Sequence, residues 1–174
     1  LDNGSDVAYR DVRRFGTWLL LEPGELEPYL AERIGSEPLG RSLSARSLAD
    51  RIARRRGPLK ALVLDQRLFA GVGNIYADEA LWWARLHPLR PGNELTQEEL
   101  GDLVRGIRRA LRRGIERQGA TLRDYRAADG REGSMQTEFR VYGCEGEPCA
   151  RCGHAIEKTR VAGRGTWYCP GCQH

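Results

Sequence analysis

"CARCGHAIEKTRVAGRGTWYCPGC", Cys149 to Cys172, places four thiols in two close pairs, Cys149 with Cys152 and Cys169 with Cys172, sixteen residues apart. A two-residue spacer lets both sulfurs of a pair face one point. Two such knuckles make a closed tetrahedral shell that suits Zn²⁺. A redox role for one pair is the competing reading, and the presence of the second pair counts against it. Four thiolates leave no position open for water, so one structural zinc ion is expected, stabilising rather than catalysing. Between the knuckles, "IEKTRV" and "GTWYC" predict the arms of a β-hairpin whose tip carries Ala162-Gly163-Arg164-Gly165. Glycines there permit tight backbone geometry, and the metal stiffens the whole. Arg164 is then either a solvated turn arginine or a cation presented for bidentate contact with a phosphate.

The rest of the chain supplies the setting. It has 174 residues, 40% of them hydrophobic, enough for one ordinary core or two small ones. Formal charge is +4, carried almost entirely by arginine, since Lys60 and Lys158 are the only lysines. That balance suits a polyanionic partner, or reflects nucleotide bias in the source genome. No apolar run approaches the ~20 residues of a membrane span, and no signal-peptide pattern opens the chain. Five cysteines, four of them crowded at one end, point to metal binding rather than a disulfide framework. A soluble intracellular protein without a membrane partner is expected. The chain begins Leu1-Asp2-Asn3 and reads as a piece of something longer.

Working back from the cysteines, the pattern is α+β. Val7 to Arg10 and Thr17 to Leu21 predict two strands joined by "DVRRFG", the tail of a β domain over residues 1–22, since two strands cannot bury a sheet face alone. Residues 23–136 turn helical. Helices are expected over Glu25 to Ile34, Ser47 to Arg55, Pro58 to Phe69 and Ile75 to Leu86. A fifth starts at Thr96, where "TQEE" forms a capping box. Its apolar positions Leu100, Leu103, Val104, Ile107, Leu111 and Ile115 follow the helical period, and Arg105, Arg108, Arg109, Arg112 and Arg113 form an opposite, solvated face. Residues 120–136 predict a long loop, and "TEFRVYG" a strand leading into the zinc segment, residues 137–174.

The other informative stretch is "GVGN", Gly71 to Asn74, a compact reversal between two helices. Asn74 stands where a helix begins, able to cap it or to turn its amide outward. Backbone N–H groups at such a start attract phosphate, although glycines serve close helix packing equally well.

"GVGNIYADEAL" followed by "HPLRP", with "VYGCEGEPCARCG" and "GRGTWYCPGCQ" at the end, resembles the formamidopyrimidine-DNA glycosylase and endonuclease VIII family of base-excision repair enzymes. The forms of "DVRRFG" and "CPGCQ" favour the formamidopyrimidine branch. The resemblance covers the whole chain. It implies the remnant of an N-terminal β-sandwich, a helical domain with a helix-two-turn-helix, and a C-terminal β-hairpin zinc finger. It also implies a place in the bacterial cytoplasm, associated with the nucleoid, with damaged double-stranded DNA as partner; a monomer is the default expectation.

By the same resemblance, Asn74 and Arg164 bind the phosphates flanking the damaged nucleotide, and Arg164 assists strand cleavage. Arg13 hydrogen-bonds the orphaned base while Phe15 wedges into the stack. Arg56 and Lys60 approach the DNA near the lesion, and residues Tyr125 to Met135 close over an everted 8-oxoguanine. The family attacks C1′ with an N-terminal proline amine. No proline-glutamate pair opens this chain, so the polypeptide itself is expected to lack the glycosylase and lyase activity of its parent. Cys144 stands where the family usually has arginine and is not expected to bind zinc. The alternatives are a non-catalytic, zinc-containing damaged-DNA-binding protein and a zinc-stabilised protein-interaction module.

Overall fold

The structure, a computed structural model, describes residues 1–9, 11, 16–121 and 132–174. Among these residues, five α-helices precede one antiparallel hairpin. They are α1 (Leu26–Arg33), α2 (Ala45–Ile52), α3 (Leu59–Val63), α4 (Asn74–Ala84) and α5 (Gln97–Glu116), followed by β1 (Glu157–Val161) and β2 (Arg164–Tyr168). Thr96 and Glu99 form the capping box that starts α5, with Glu99 accepting from the Thr96 N–H at 2.8 Å. Ser44 and Ser47 form another at α2, which starts at Ala45, two residues earlier than the pattern placed it. Helix α3 is shorter than expected. After Val63 the chain turns back, held where Gln66 donates to Val72 O at 3.0 Å and accepts from the Gly71 N–H at 2.9 Å.

Helix α4 is buried on almost every side, its predominantly apolar sequence interrupted by the buried acids Asp78 and Glu79. On one flank it meets α5, so closely at Gly106 that a Cβ would stand 2.4 Å from Ala80 O. That flank belongs to a core built from α2 to α5, including Leu48, Ile52, Leu59, Val63, Leu81, Leu103 and Ile107. Ile115, expected on the same stripe of α5, is 66% exposed because this core ends near Ala110 and Leu111. The other flank of α4 carries a second core of Trp82, Val141, Ile156, Cys149, Cys169 and Cys172. Both cores therefore share one helix.

The hairpin register pairs Val161 with Arg164, leaving Ala162 and Gly163 as a two-residue turn with φ of 48° and 77°. Positive φ at both positions matches the twist of the flanking strands. Arg164 is thus the first residue of β2 rather than part of the loop.

Three expectations do not hold. The described residues between 1 and 22 form no ladder, and Leu20 is 94% exposed, because nothing there offers the edge or covering layer that a strand pair needs. "TEFRVYG" is no strand either. Met135–Glu138 form a 3-10 turn, and the N–H groups of Arg140, Val141 and Tyr142 all go to the Glu79 carboxylate at 3.0 Å instead of to a neighbouring strand. Met135, assigned to the closing loop, is buried. The loop itself, 122–131, lies outside the described residues, and its two ends are tied together. Ala120 bridges Ser134, the Gly133 N–H donates to Thr121 Oγ1 at 2.9 Å, and the Thr121 N–H donates to Gln136 Oε1 at 3.1 Å.

Candidate nucleic-acid interface

Gly71 has φ of 73°, which only glycine adopts freely, so its place in the reversal before α4 is conformational. Gly73 differs. Its φ is −97°, and a Cβ built on it would meet nothing within 4 Å. Neither strain nor crowding requires glycine there, and the open space would let a ligand approach the backbone closely. Gly73 is the N-cap of α4 and makes no side-chain cap hydrogen bond to the first turn of the helix.

Asn74 does not cap its helix. Its Nδ2 donates instead to Gly165 O at 3.1 Å, which binds the start of α4 to the residue next to Arg164. Arg164 is exposed, and its charge reaches Lys60 strongly enough to contribute to that residue's titration. The helix start and the hairpin arginine thus share one surface.

Behind that surface stands Lys60, which the resemblance implied would approach the DNA and which is wholly buried. Its ammonium group donates to Gly165 O at 2.7 Å and Thr166 Oγ1 at 2.8 Å, and forms an ion pair with Asp78, whose Oδ1 lies 2.8 Å away. Thr166 Oγ1 in turn donates to Arg164 O at 3.1 Å, and Asp78 Oδ2 accepts the Trp167 N–H at 3.2 Å. Burial pulls Lys60 below its ordinary value while Asp78 pulls it back, and burial pushes Asp78 up to about 7 against the pull of Lys60. Lys60 acts through the hairpin: it fixes Gly165 and Thr166, and through them Arg164.

The four thiols meet as their spacing required. The sulfurs of Cys149, Cys152, Cys169 and Cys172 all lie within 4.8 Å of one another, and none is in a disulfide. Cys149 Sγ and Cys172 Sγ are 3.9 Å apart, and Cys152 Sγ and Cys169 Sγ 3.3 Å. A tetrahedral shell with Zn–S bonds of ~2.3 Å has edges of ~3.8 Å, so the residues present fit zinc. Cys144 stays outside the group, its thiol pushed up to about 11 chiefly by burial. Arg56 is exposed in the connection between α2 and α3. Arg13 and Phe15 lie outside the described residues.

Four positioning residues escaped the sequence reading. Asp78 and Glu79 are adjacent acids in the middle of an apolar helix, a pattern that forces both to find buried partners. Gln173 is buried, accepts the Cys169 N–H at 2.8 Å and donates to Leu86 O at 2.9 Å, fastening the second knuckle to the end of α4. Arg108, assigned to a solvated face, donates to Pro38 O, Gly40 O and Leu43 O at 2.8–2.9 Å and so holds the segment before α2. Only the adjacent acids left a signal in the sequence.

Comparison with known proteins gives a consistent answer. Residues 34–126 match the formamidopyrimidine-DNA glycosylase H2TH domain, and residues 146–174 match the zinc finger found in FPG and IleRS. The chain is 49% identical over 173 residues to the formamidopyrimidine-DNA glycosylase of Chloroflexus aurantiacus, spanning 99% of this chain and 62% of that protein. The crystal structure of the MutM (Fpg) protein from Thermus thermophilus superposes with a TM-score of 0.84 at 48% identity, over 94% of this chain and 62% of that one. A Lactococcus lactis Fpg mutant in complex with Fapy-dG-containing DNA superposes with a TM-score of 0.87 at 41% identity, over 94% and 60%. The chain therefore spans about three-fifths of the length of the relatives it matches. With its helical core and its cysteine hairpin each matched in turn, the chain belongs to the formamidopyrimidine-DNA glycosylase family.

Proposed function

We propose that the protein containing this chain is a bifunctional DNA glycosylase and AP lyase of base-excision repair, removing oxidised purines such as 8-oxoguanine and formamidopyrimidines and nicking the strand. These 174 residues supply its grip on the sugar-phosphate backbone around the lesion. The observation that carries the reading is the 3.1 Å bond from Asn74 Nδ2 to Gly165 O, which brings a helix start and an exposed arginine onto one surface. One such site takes a phosphate on N–H groups and the other on a guanidinium, two complementary ways of holding a kinked backbone.

In this reading Asn74 and Arg164 hold the flanking phosphates, and Arg164 stabilises the phosphate that departs during strand cleavage. Arg13 and Phe15 fill the gap left by the everted nucleotide, and Arg56 adds a backbone contact. The loop around Tyr125 to Met135 covers the extruded base, its ends tied at Ala120 and Ser134. The domains divide near residues 22 and 136. The attacking amine is an N-terminal proline, which a polypeptide limited to these residues does not carry, so such a polypeptide binds damaged duplex without cleaving it. The protein works as a monomer in the bacterial cytoplasm, on the nucleoid.

Fluorescence anisotropy on a duplex with an abasic-site analogue tests this. Charge-assisted contacts contribute ~1.5–3 kcal/mol, so Arg164→Ala is expected to weaken binding roughly 10- to 100-fold with zinc content unchanged, and Asn74→Ala to weaken it as well. Unaltered affinity in both variants would sink the assignment.

A further inference from the structure

Two side-chain N–H donors are aimed at sulfurs of the cysteine shell. Trp82, in α4, donates from Nε1 to Cys149 Sγ at 3.3 Å. Arg151, between the two cysteines of the first knuckle, donates from Nη1 to Cys172 Sγ at 3.5 Å, which belongs to the second. The two donors hold each other in place. Arg151 Nη1 also donates to Trp82 O at 3.0 Å, and its guanidinium carbon lies 4.0 Å over the Trp82 ring. Trp83 meets Trp82 edge-on at 4.7 Å and is itself covered by Arg109 of α5 at 3.4 Å. Trp82 and Cys149 are buried, so the indole N–H has little water to compete for it.

Four thiolates around one Zn²⁺ carry a formal charge of −2 in a largely buried shell. Donors pointed at the sulfurs draw off part of that charge, which makes the thiolates poorer bases and poorer nucleophiles while they remain ligands. A phenyl ring would fill the same space as the indole without donating anything. We propose that Trp82 and Arg151 determine how tightly the zinc is retained, and that they make metal occupancy and the seating of the hairpin on α4 one linked equilibrium. The linkage follows from the position of Trp82, a residue of the helical domain whose hydrogen bond is to a metal ligand. The inference rests on the zinc assignment and is independent of what the hairpin binds.

The test uses the full chain with Trp82→Phe and Arg151→Met. Competition for zinc against a chromophoric chelator is expected to show a loss of about 10-fold or more in affinity for each, the usual effect of removing a hydrogen bond to a metal ligand. Co²⁺-substituted protein gives a second readout. Loss of an N–H···S bond raises the sulfur lone pairs in energy, so the thiolate-to-cobalt charge-transfer band should move to longer wavelength in both variants. A merely structural role would leave that band in place. Wild-type affinity in both variants, or reduced affinity with an unshifted band, overturns the proposal. Failure of the unsubstituted protein to bind Co²⁺ through four thiolates would instead overturn the zinc assignment beneath it.

Discussion

Lys60→Met keeps most of the side-chain volume and deletes the charge. Gly165 O and Thr166 Oγ1 then lose a donor, and the Asp78 carboxylate loses its countercharge inside the protein. Breaking a buried pair from one side costs about 3–5 kcal/mol, because the remaining charge stays desolvated. The variant relieves this by protonating Asp78. Burial has already pushed that carboxyl up to about 7 with Lys60 present, and without Lys60 it moves higher. A carboxyl whose folded pKa is raised contributes its stability below the unfolded value and loses it as pH rises through the folded one. The penalty of Lys60→Met should therefore be larger at pH 8 than at pH 6. Adding Asp78→Asn removes the stranded charge and keeps an acceptor for the Trp167 N–H, so the double variant should recover part of the loss. Urea unfolding with saturating zinc, at both pH values, measures each quantity. A single variant within about 0.5 kcal/mol of wild type, or a penalty that ignores pH, would refute the account of Lys60 as the pin of the hairpin.

Gly73→Ala places a methyl group in open space at the start of α4. Stability should change by less than about 1 kcal/mol while affinity for abasic duplex falls; a variant that binds normally would return Gly73 to an ordinary N-cap glycine. Glu79→Gln halves the acceptor capacity facing the N–H groups of residues 140–142, and a loss of about 1–3 kcal/mol is expected in urea unfolding, with faster amide exchange confined to that segment. Protection equal to wild type there would show that the carboxylate is not what holds it.

The features that the sequence disclosed are those whose chemistry is local. Two knuckles of fixed spacing, a threonine three residues ahead of a glutamate, and a glycine reversal before an apolar run each specify a geometry within a few residues. Lys60 was legible as a cation but not as a buried one, because its partners Asp78 and Gly165 are remote along the chain and only the fold assembles them. The strand expected at "TEFRVYG" failed for a related reason: alternation describes which side chains face inward, whereas the backbone partner turned out to be a glutamate side chain. At the N-terminal end the composition suits strands, but the described residues there form no backbone ladder, although the Tyr9 and Trp18 rings meet at 5.6 Å.

The tied ends at Ala120 and Ser134 also have a practical use. The hydrogen bonds among Gly119, Thr121, Gly133, Met135 and Gln136 fix where the chain leaves and re-enters the helical core on either side of residues 122–131, so the two ends make a defined splice point. Loop-closure entropy grows only slowly with length. Segments of different length from relatives, or a fluorescent insertion, could be spliced between the two ends at little thermodynamic penalty, converting one scaffold into a panel of proteins that differ only in that segment.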